Sequence, residues 1–213
     1  MQLPQFLTML GSPTLDWQTK RRQAARAEIL AAAWDAARQN GLAAITLRDV
    51  AARVGMQAPS LYSYFDSKHA IYDAMFGQAW SEWDEINSEL EGCLPPSPRA
   101  ALKLGARTFF EFCVAEPARH QLMNLRLIPN FTPSPEAYAP SVRTFQRLRR
   151  QLTAYGVTDE EAADLLTAII AGLIDQQLAN DPGGDRWARL LDRAMDMYAD
   201  QVGLLHEPEG RTP

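Results

Sequence analysis

The chain has 213 residues, with 21 Lys and Arg against 26 Asp and Glu, a formal net charge of -5. Cys93 and Cys113 form no CxxC pair, which argues against a disulfide framework or a zinc site and for reduced thiols. The start carries no basic segment followed by an apolar one. The longest apolar run, Ala168 to Ile174, is too short to cross a bilayer, so no membrane is expected and the location expected is cytoplasmic. Charge is unevenly spread. Residues 1 to 70 hold eight Lys and Arg against five Asp and Glu, a net of +3, and the rest holds thirteen against twenty-one, a net of -8. Only the N-terminal part is attractive to a polyanion such as nucleic acid.

Residues 1–16, with Pro4, Gly11 and Pro13, read as a flexible arm. A helix follows from Trp17 or Gln18 to Asn40, with Ile29, Ala33, Ala36 and Ala37 at helical spacing and Asn40-Gly41 as its stop. Lys20, Arg21 and Arg22 near its start either meet a phosphate or form a solvated helix end.

The stretch Thr46 to Lys68 carries the most specific pattern. Thr46 and Asp49 have capping-box spacing, Leu47, Val50, Ala51 and Val54 make one apolar face, and Gly55 suits a left-handed helix stop. Pro59 is tolerable only in a first turn, so a second helix starts near Ala58 and turns Leu61 and Phe65 inward. Ser60, Tyr62, Ser63 and Tyr64 then face outward or sideways. Two short helices so joined are the helix-turn-helix pattern, whose second helix enters the major groove of DNA. Arg48 and Lys68 sit in first turns, where the helix dipole disfavours a cation unless a phosphate is bound there too.

A long helix from Ser67 to about Leu90 carries Ile71, Met75, Ala79, Trp83, Ile86 and Leu90. Residues 93–98, CLPPSP, break it. A helix to Ala115 and a short one after Glu116-Pro117 follow, and the proline-rich Ile128 to Pro140 reads as a loop. Next comes a helix ending at Tyr155-Gly156, whose Arg143, Arg147, Arg149 and Arg150 read as a solvated face. Thr158 and Glu161 have capping-box spacing for an apolar helix carrying Leu165, Leu166, Ile169, Ile170, Leu173 and Ile174. After the turn Asn180 to Asp185, a last helix presents Trp187, Leu190, Leu191, Ala194, Met195 or Met197, Tyr198 and Val202. By themselves these last two helices read as a hairpin packed on its own core.

Residues 22 to 75, with Leu61, Tyr62, Phe65 and Lys68 in a Leu-Tyr-x-x-Phe-x-x-Lys core, resemble the DNA-binding domain of the TetR family of bacterial transcriptional regulators. Gln57 replaces the usual capping Ser or Thr, and Tyr64 a common His, which bears on operator sequence rather than binding mode. The resemblance implies an all-α fold of about nine helices. It comprises an N-terminal three-helix DNA-binding domain with helix-turn-helix (17–66) and a C-terminal helical ligand-binding and dimerisation domain (67–206), ending in a tail (207–213). DNA contacts are expected from Thr46, Arg48, Pro59, Ser60, Tyr62, Ser63, Tyr64 and Lys68.

It also implies a homodimer through a four-helix interface, here Leu166, Ile170, Leu173, Trp187, Leu191, Ala194 and Tyr198, reading a palindromic double-stranded operator. The function implied is that of a repressor released by a small apolar effector. Candidate pocket walls are Trp83, Phe109, Phe112, Met123, Leu127 and Phe131, each of which also reads as ordinary core, with Asn124, Gln176 and Gln177 as polar anchors. No cofactor or metal is implied. No HExxH, GxSxG or phosphate-cradling Gly-rich motif is present, and His69, His120 and His206 are far apart, so no catalytic residue is expected. The alternative is a TetR-like small-molecule-binding protein, or an enzyme using the C-terminal pocket, without transcriptional control.

Overall fold

Helix-forming sequence broken at Gly41, Gly55, Pro95-Pro96, Pro117 and Gly156 produces a chain of helices in the computed structural model, which describes residues 13–204. Among these residues there are nine α-helices and no strand. Two compact units meet inside the fourth helix, after Tyr72. Residues 1–12 of the expected arm and the expected tail lie outside the described residues, and Pro13 to Asp16 already belong to the first helix.

The first unit contains α1 (Pro13–Asn40), α2 (Leu47–Arg53), α3 (Ala58–Leu61) and the start of α4 (Lys68–Glu91). The buried face of α1 is Ile29, Ala33, Trp34, Ala36 and Ala37; the alanines leave room for α2 and the 3-10 turn Leu42–Ala44. Gly41 stops α1 at φ 80, a conformation that costs a glycine little. Leu42, Ile45, Val50, Leu61, Phe65 and Ile71 complete the core. The Tyr72 hydroxyl donates to the Leu42 carbonyl at 2.5 Å, and burial pushes its pKa up to about 12.

The second unit contains the rest of α4, α5 (Pro98–Ala115), α6 (Pro117–Asn124), α7 (Pro135–Ala154), α8 (Ala162–Asn180) and α9 (Leu191–Gln201). Helix α5 packs against α6, α8 and α9, and α8 also meets α7 and α9. By length and composition α8 could cross a membrane, which the count of consecutive apolar residues missed, but α5, α7 and α9 pack on it.

Two boundaries differ from expectation. The expected loop Ile128 to Pro140 ends early, because Ser134 caps α7: its hydroxyl accepts from Ala137 N at 3.1 Å and donates to Asp73 at 2.8 Å. Pro140 therefore sits buried inside the helix, where its missing N–H forfeits only the bond to the Glu136 carbonyl. The Thr158/Glu161 capping box does not form. Asp159 accepts from Glu161 N at 2.9 Å, and α8 begins only at Ala162. The final helix is likewise split, with a 3-10 turn Ala188–Leu190 before α9.

Antiparallel α5 and α9 are joined by a charge ladder. Arg107 pairs with Asp192 and Lys103 with Asp196, both at 2.7 Å, and Arg99 pairs with Asp200 at 2.5 Å. Only Arg99 is buried, and its Nε also donates to the Leu204 carbonyl at 3.1 Å. Replacing Arg99 by Met strands that carbonyl and is expected to cost about 2–3 kcal/mol, against about 0.5 kcal/mol or less for Arg107→Met at an exposed pair. Thermal unfolding of the two variants checks the difference.

Candidate nucleic-acid interface and candidate cavity

In the first unit the sequence places polar side chains on a very short helix, and neighbouring groups hold it. Thr46 caps α2, accepting from Asp49 N at 3.1 Å, while the Asp49 carboxylate turns to Arg53 at 3.0 Å, so only half of the capping box forms. Gly55 closes α2 at φ 70, and Met56 N donates to the Ala51 carbonyl at 2.9 Å. Pro59 lies in the first turn of α3, and Gln57 supplies no side-chain cap. Beyond Leu61 the chain tightens into turns, so α3 is a single turn rather than the longer helix expected.

Its end carbonyls are met from α1. Arg22 donates to the Ser63 carbonyl at 2.7 Å, and Arg26 donates to the Tyr64 carbonyl while lying over the Phe65 ring at 4.1 Å. Arg22 of the basic cluster thus has a local acceptor, whereas Arg21 lies 5.4 Å over exposed Trp17.

This anchoring buries Leu61 and Phe65 and leaves Thr46, Arg48, Pro59, Ser60, Tyr62 and Ser63 exposed, with Tyr64 half-buried under Arg22. Tyr62 is 54% exposed. Lys68 is half-buried: Nζ donates to the Ala43 carbonyl at 3.0 Å and lies over the Tyr72 ring, so a carbonyl already meets a cation that the helix dipole disfavours.

In the second unit α4 and α7 run parallel. Successive contacts are Asp73 with Ser134, Gly77 with Ala137, and Asp84 with Arg143 and Arg147. A Cβ on Gly77 would come within 3.3 Å of the Ala137 backbone, so glycine allows the close approach at one end of this seam. At the other end Asp84 accepts from Arg143 at 2.9 Å and from Arg147 at 2.8 Å. Burial alone would raise the Asp84 pKa, but the two guanidiniums outweigh it and hold it below the ordinary 3.8. Of the arginines expected on a solvated face, Arg143, Arg149 and Arg150 are exposed, and Arg147 is half-buried against Asp84.

Between α4, α5, α6, α7 and α8 lies a cavity of about 150 Å³, open to solvent. Trp83, Phe109 and Asn124 line it as expected. The other pocket candidates do not. Phe112 is packed beneath Arg119 at 3.6 Å, Met123 is core, Leu127 is exposed, and Phe131 lies against Phe76. Gln176 is exposed and accepts from Asn180 at 2.7 Å. Gln177 is buried and knits the turn before α9, where its Oε1 accepts from Trp187 N at 3.0 Å and its Nε2 donates to the Gly184 carbonyl at 3.2 Å.

Sequence reasoning missed the α7 wall of Ser141, Thr144, Phe145, Leu148 and Gln151. Its helical spacing is legible in the sequence, but arginines interleave those positions. His120 was missed as a lining residue. It is buried, Asn124 donates to its Nδ1 at 3.2 Å, and its Nε2–H therefore donates to Asp175 at 2.8 Å.

Burial in the single chain divides the residues expected at the interface. Leu166, Ile170, Leu191 and Tyr198 are enclosed by their own chain: Leu166 and Ile170 face the cavity, and the Tyr198 hydroxyl donates to the Ala162 carbonyl at 3.0 Å. Leu173, Trp187 and Ala194 are half-buried. The large apolar side chains exposed on these elements are Leu165, Leu190 and Met197, while Met195 is buried.

The described residues thus form a helix-turn-helix unit followed by a helical unit that holds a cavity. Residues 29–75 match the family model described as "Bacterial regulatory proteins, tetR family". Among solved structures, the fold is similar to that of the "putative regulatory protein SCO4313" (17% identity, TM-score 0.72, covering 85% of this chain and 98% of that one). It is also similar to a TetR family transcription regulator from Marinobacter aquaeolei VT8 (15%, 0.64, 85% and 97%). A third is the transcriptional regulator FadR from Bacillus subtilis in complex with stearoyl-CoA (16%, 0.62, 84% and 98%). No curated protein matches the chain in sequence.

Because Asp84 titrates below its ordinary value in the folded state, its pairing stabilises fully above pH 3.8 and is lost as pH falls through the lowered value. The stability advantage of the wild type over Asp84→Asn is therefore expected at neutral pH and to shrink below pH 3.8. Denaturant titrations at several pH values measure it.

Proposed function

We propose that this chain is a sequence-specific, DNA-binding transcriptional regulator, a repressor that a small apolar ligand releases from its operator. The observation that carries the reading is the turn after Pro59: Leu61 and Phe65 are buried while Ser60, Tyr62 and Ser63 stay exposed, within a segment that matches the TetR-family model. A short element held this way presents its polar side chains to base edges and phosphates. Arg48 on α2 supplies a phosphate contact, and Lys68 keeps two ammonium protons beyond the one given to Ala43.

One such element reaches too few base edges to specify a site, so the active species is a homodimer reading two half-sites. Support comes from α8, a mainly apolar helix on which Leu165 is exposed and Ile169 and Leu173 are only half-buried in the single chain. The interface uses Leu165, Leu173, Leu190 and Met197 in place of the residues that the chain encloses itself. Release follows from linkage. A ligand in the cavity that prefers a conformer unable to bind DNA weakens operator binding by the same coupling free energy that DNA exerts on ligand affinity.

Fluorescence anisotropy with labelled DNA from upstream of the protein's own gene tests the proposal. Salt-dependent, saturable binding is expected, and Tyr62→Ala should weaken it about tenfold, the worth of about 1.4 kcal/mol. Lys68→Ala should lower the log-log salt slope by about 1 if it neutralises one phosphate. Equal affinity for unrelated DNA of the same length would defeat sequence specificity.

A further inference from the structure

The walls of the cavity and its size together bear on what it takes. Trp80 and Trp83 on α4, Phe109 on α5 and Phe145 on α7 bring four aromatic residues to one space, and the Trp83 and Phe109 ring centroids stand 4.8 Å apart at a tilt of 56°. The α5 wall is otherwise small, with Ala101, Gly105 and Ala106. A Cβ added to Gly105 would meet nothing within 4 Å, so the helix leaves empty a place that a larger residue would fill. What remains is about 150 Å³. An apolar cavity of about that volume holds one benzene ring, whereas pockets for drug-sized molecules begin at about 300 Å³.

Most polar groups in the wall are already committed. Ser141 donates to the Tyr138 carbonyl at 2.7 Å, Thr167 to the Ala163 carbonyl at 2.8 Å, and Gln151 to the Tyr155 hydroxyl at 3.0 Å. His120 is held between Asn124 and Asp175. Trp80 Nε1 and Thr144 Oγ1 are sealed from the space. Asn87 differs. It lines the cavity half-buried, and its amide has no hydrogen-bond partner among the described residues. It stands one helical turn beyond Trp83 on the same face of α4, so a molecule lying against the Trp83 ring has this amide at its edge.

We infer that the ligand is a neutral molecule with a single aromatic ring, which lies among Trp83, Phe109 and Phe145, and a hydroxyl that hydrogen-bonds the Asn87 side chain, as in a phenol. Offset and edge contacts between rings add to what their buried area alone contributes, which favours a ring over a chain between aromatic walls. A carboxamide offers both an N–H and an oxygen, and a hydroxyl both donates and accepts, so the pair can bond in either sense. The inference rests on the cavity being the effector site proposed above.

Isothermal titration calorimetry of the full-length protein at pH 7 tests it with 4-methylphenol, with toluene, which lacks the hydroxyl, and with 1-heptanol, an alcohol of as many non-hydrogen atoms but no ring. The phenol is expected to bind roughly three- to tenfold more tightly than toluene, the worth of one net hydrogen bond. It should exceed heptanol by at least about fivefold, since a chain must freeze its torsions on binding. Asn87→Leu should remove the preference for the phenol while toluene still binds. Gly105→Leu should fill the space and abolish binding of all three without lowering the unfolding midpoint, because leucine favours a helix more than glycine does. Thermal unfolding verifies that both variants fold. Heptanol binding as tightly as the phenol, and blocked by Gly105→Leu, would overturn the aromatic class while leaving the cavity as a ligand site. A folded Asn87→Leu variant that keeps the phenol preference would overturn the assigned hydrogen bond. No binding of any of the three, or full binding by folded Gly105→Leu, would overturn the cavity as the site.

Discussion

A four-residue helix cannot hold itself together, because nucleation fixes several residues for a single hydrogen bond. The polar face that the first unit presents depends on meeting that constraint at α3. The anchors are the burial of Leu61 and Phe65 and the two arginines of α1 that reach the carbonyls of Ser63 and Tyr64. With its inner side chains and end carbonyls committed, the turn holds Ser60, Tyr62 and Ser63 outward on a fixed backbone. Preorganisation of this kind spares the entropy that a loose loop would lose on binding.

The second unit meets a different constraint. Helix α5 alternates large side chains with Ala101, Gly105 and Ala106, and these small residues leave a space beside Trp83 and Phe109 instead of filling it. The space survives because its borders are held elsewhere. Gly77 against Ala137 and Asp84 against two arginines fix α4 to α7, and the charge ladder fixes α5 to α9. Cavities cost stability in proportion to the contacts forgone, and contacts in the frame around the lining offset that cost.

The helix order and most boundaries could be read from local signals. Ser97 and Pro98 at the start of α5, Pro117 in α6 and Gly156 after α7 all act within a turn or two of chain. Errors came where two local signals competed. Ser134 overrode the proline-rich appearance of its segment because Asp73, sixty-one residues away in sequence, receives both its N–H and its hydroxyl. Asp159 displaced the Thr158 cap by taking the nearer N–H.

By itself the sequence determined the all-helical class, the split between a basic N-terminal part and an acidic remainder, and the outward polar set of the helix-turn-helix, since periodicity, caps and charge are local properties of the chain. Which apolar residues enclose the cavity was decided by tertiary structure. Trp83, Phe112 and Met123 have equal claims as isolated letters, and only the packing of α4, α5, α7 and α8 puts the first on the wall and the other two in the core. Gln177 and Arg99 make the same point for polar groups. Their partners lie across a turn and on another helix, so no local pattern could assign one to a loop and the other to the end of the ladder.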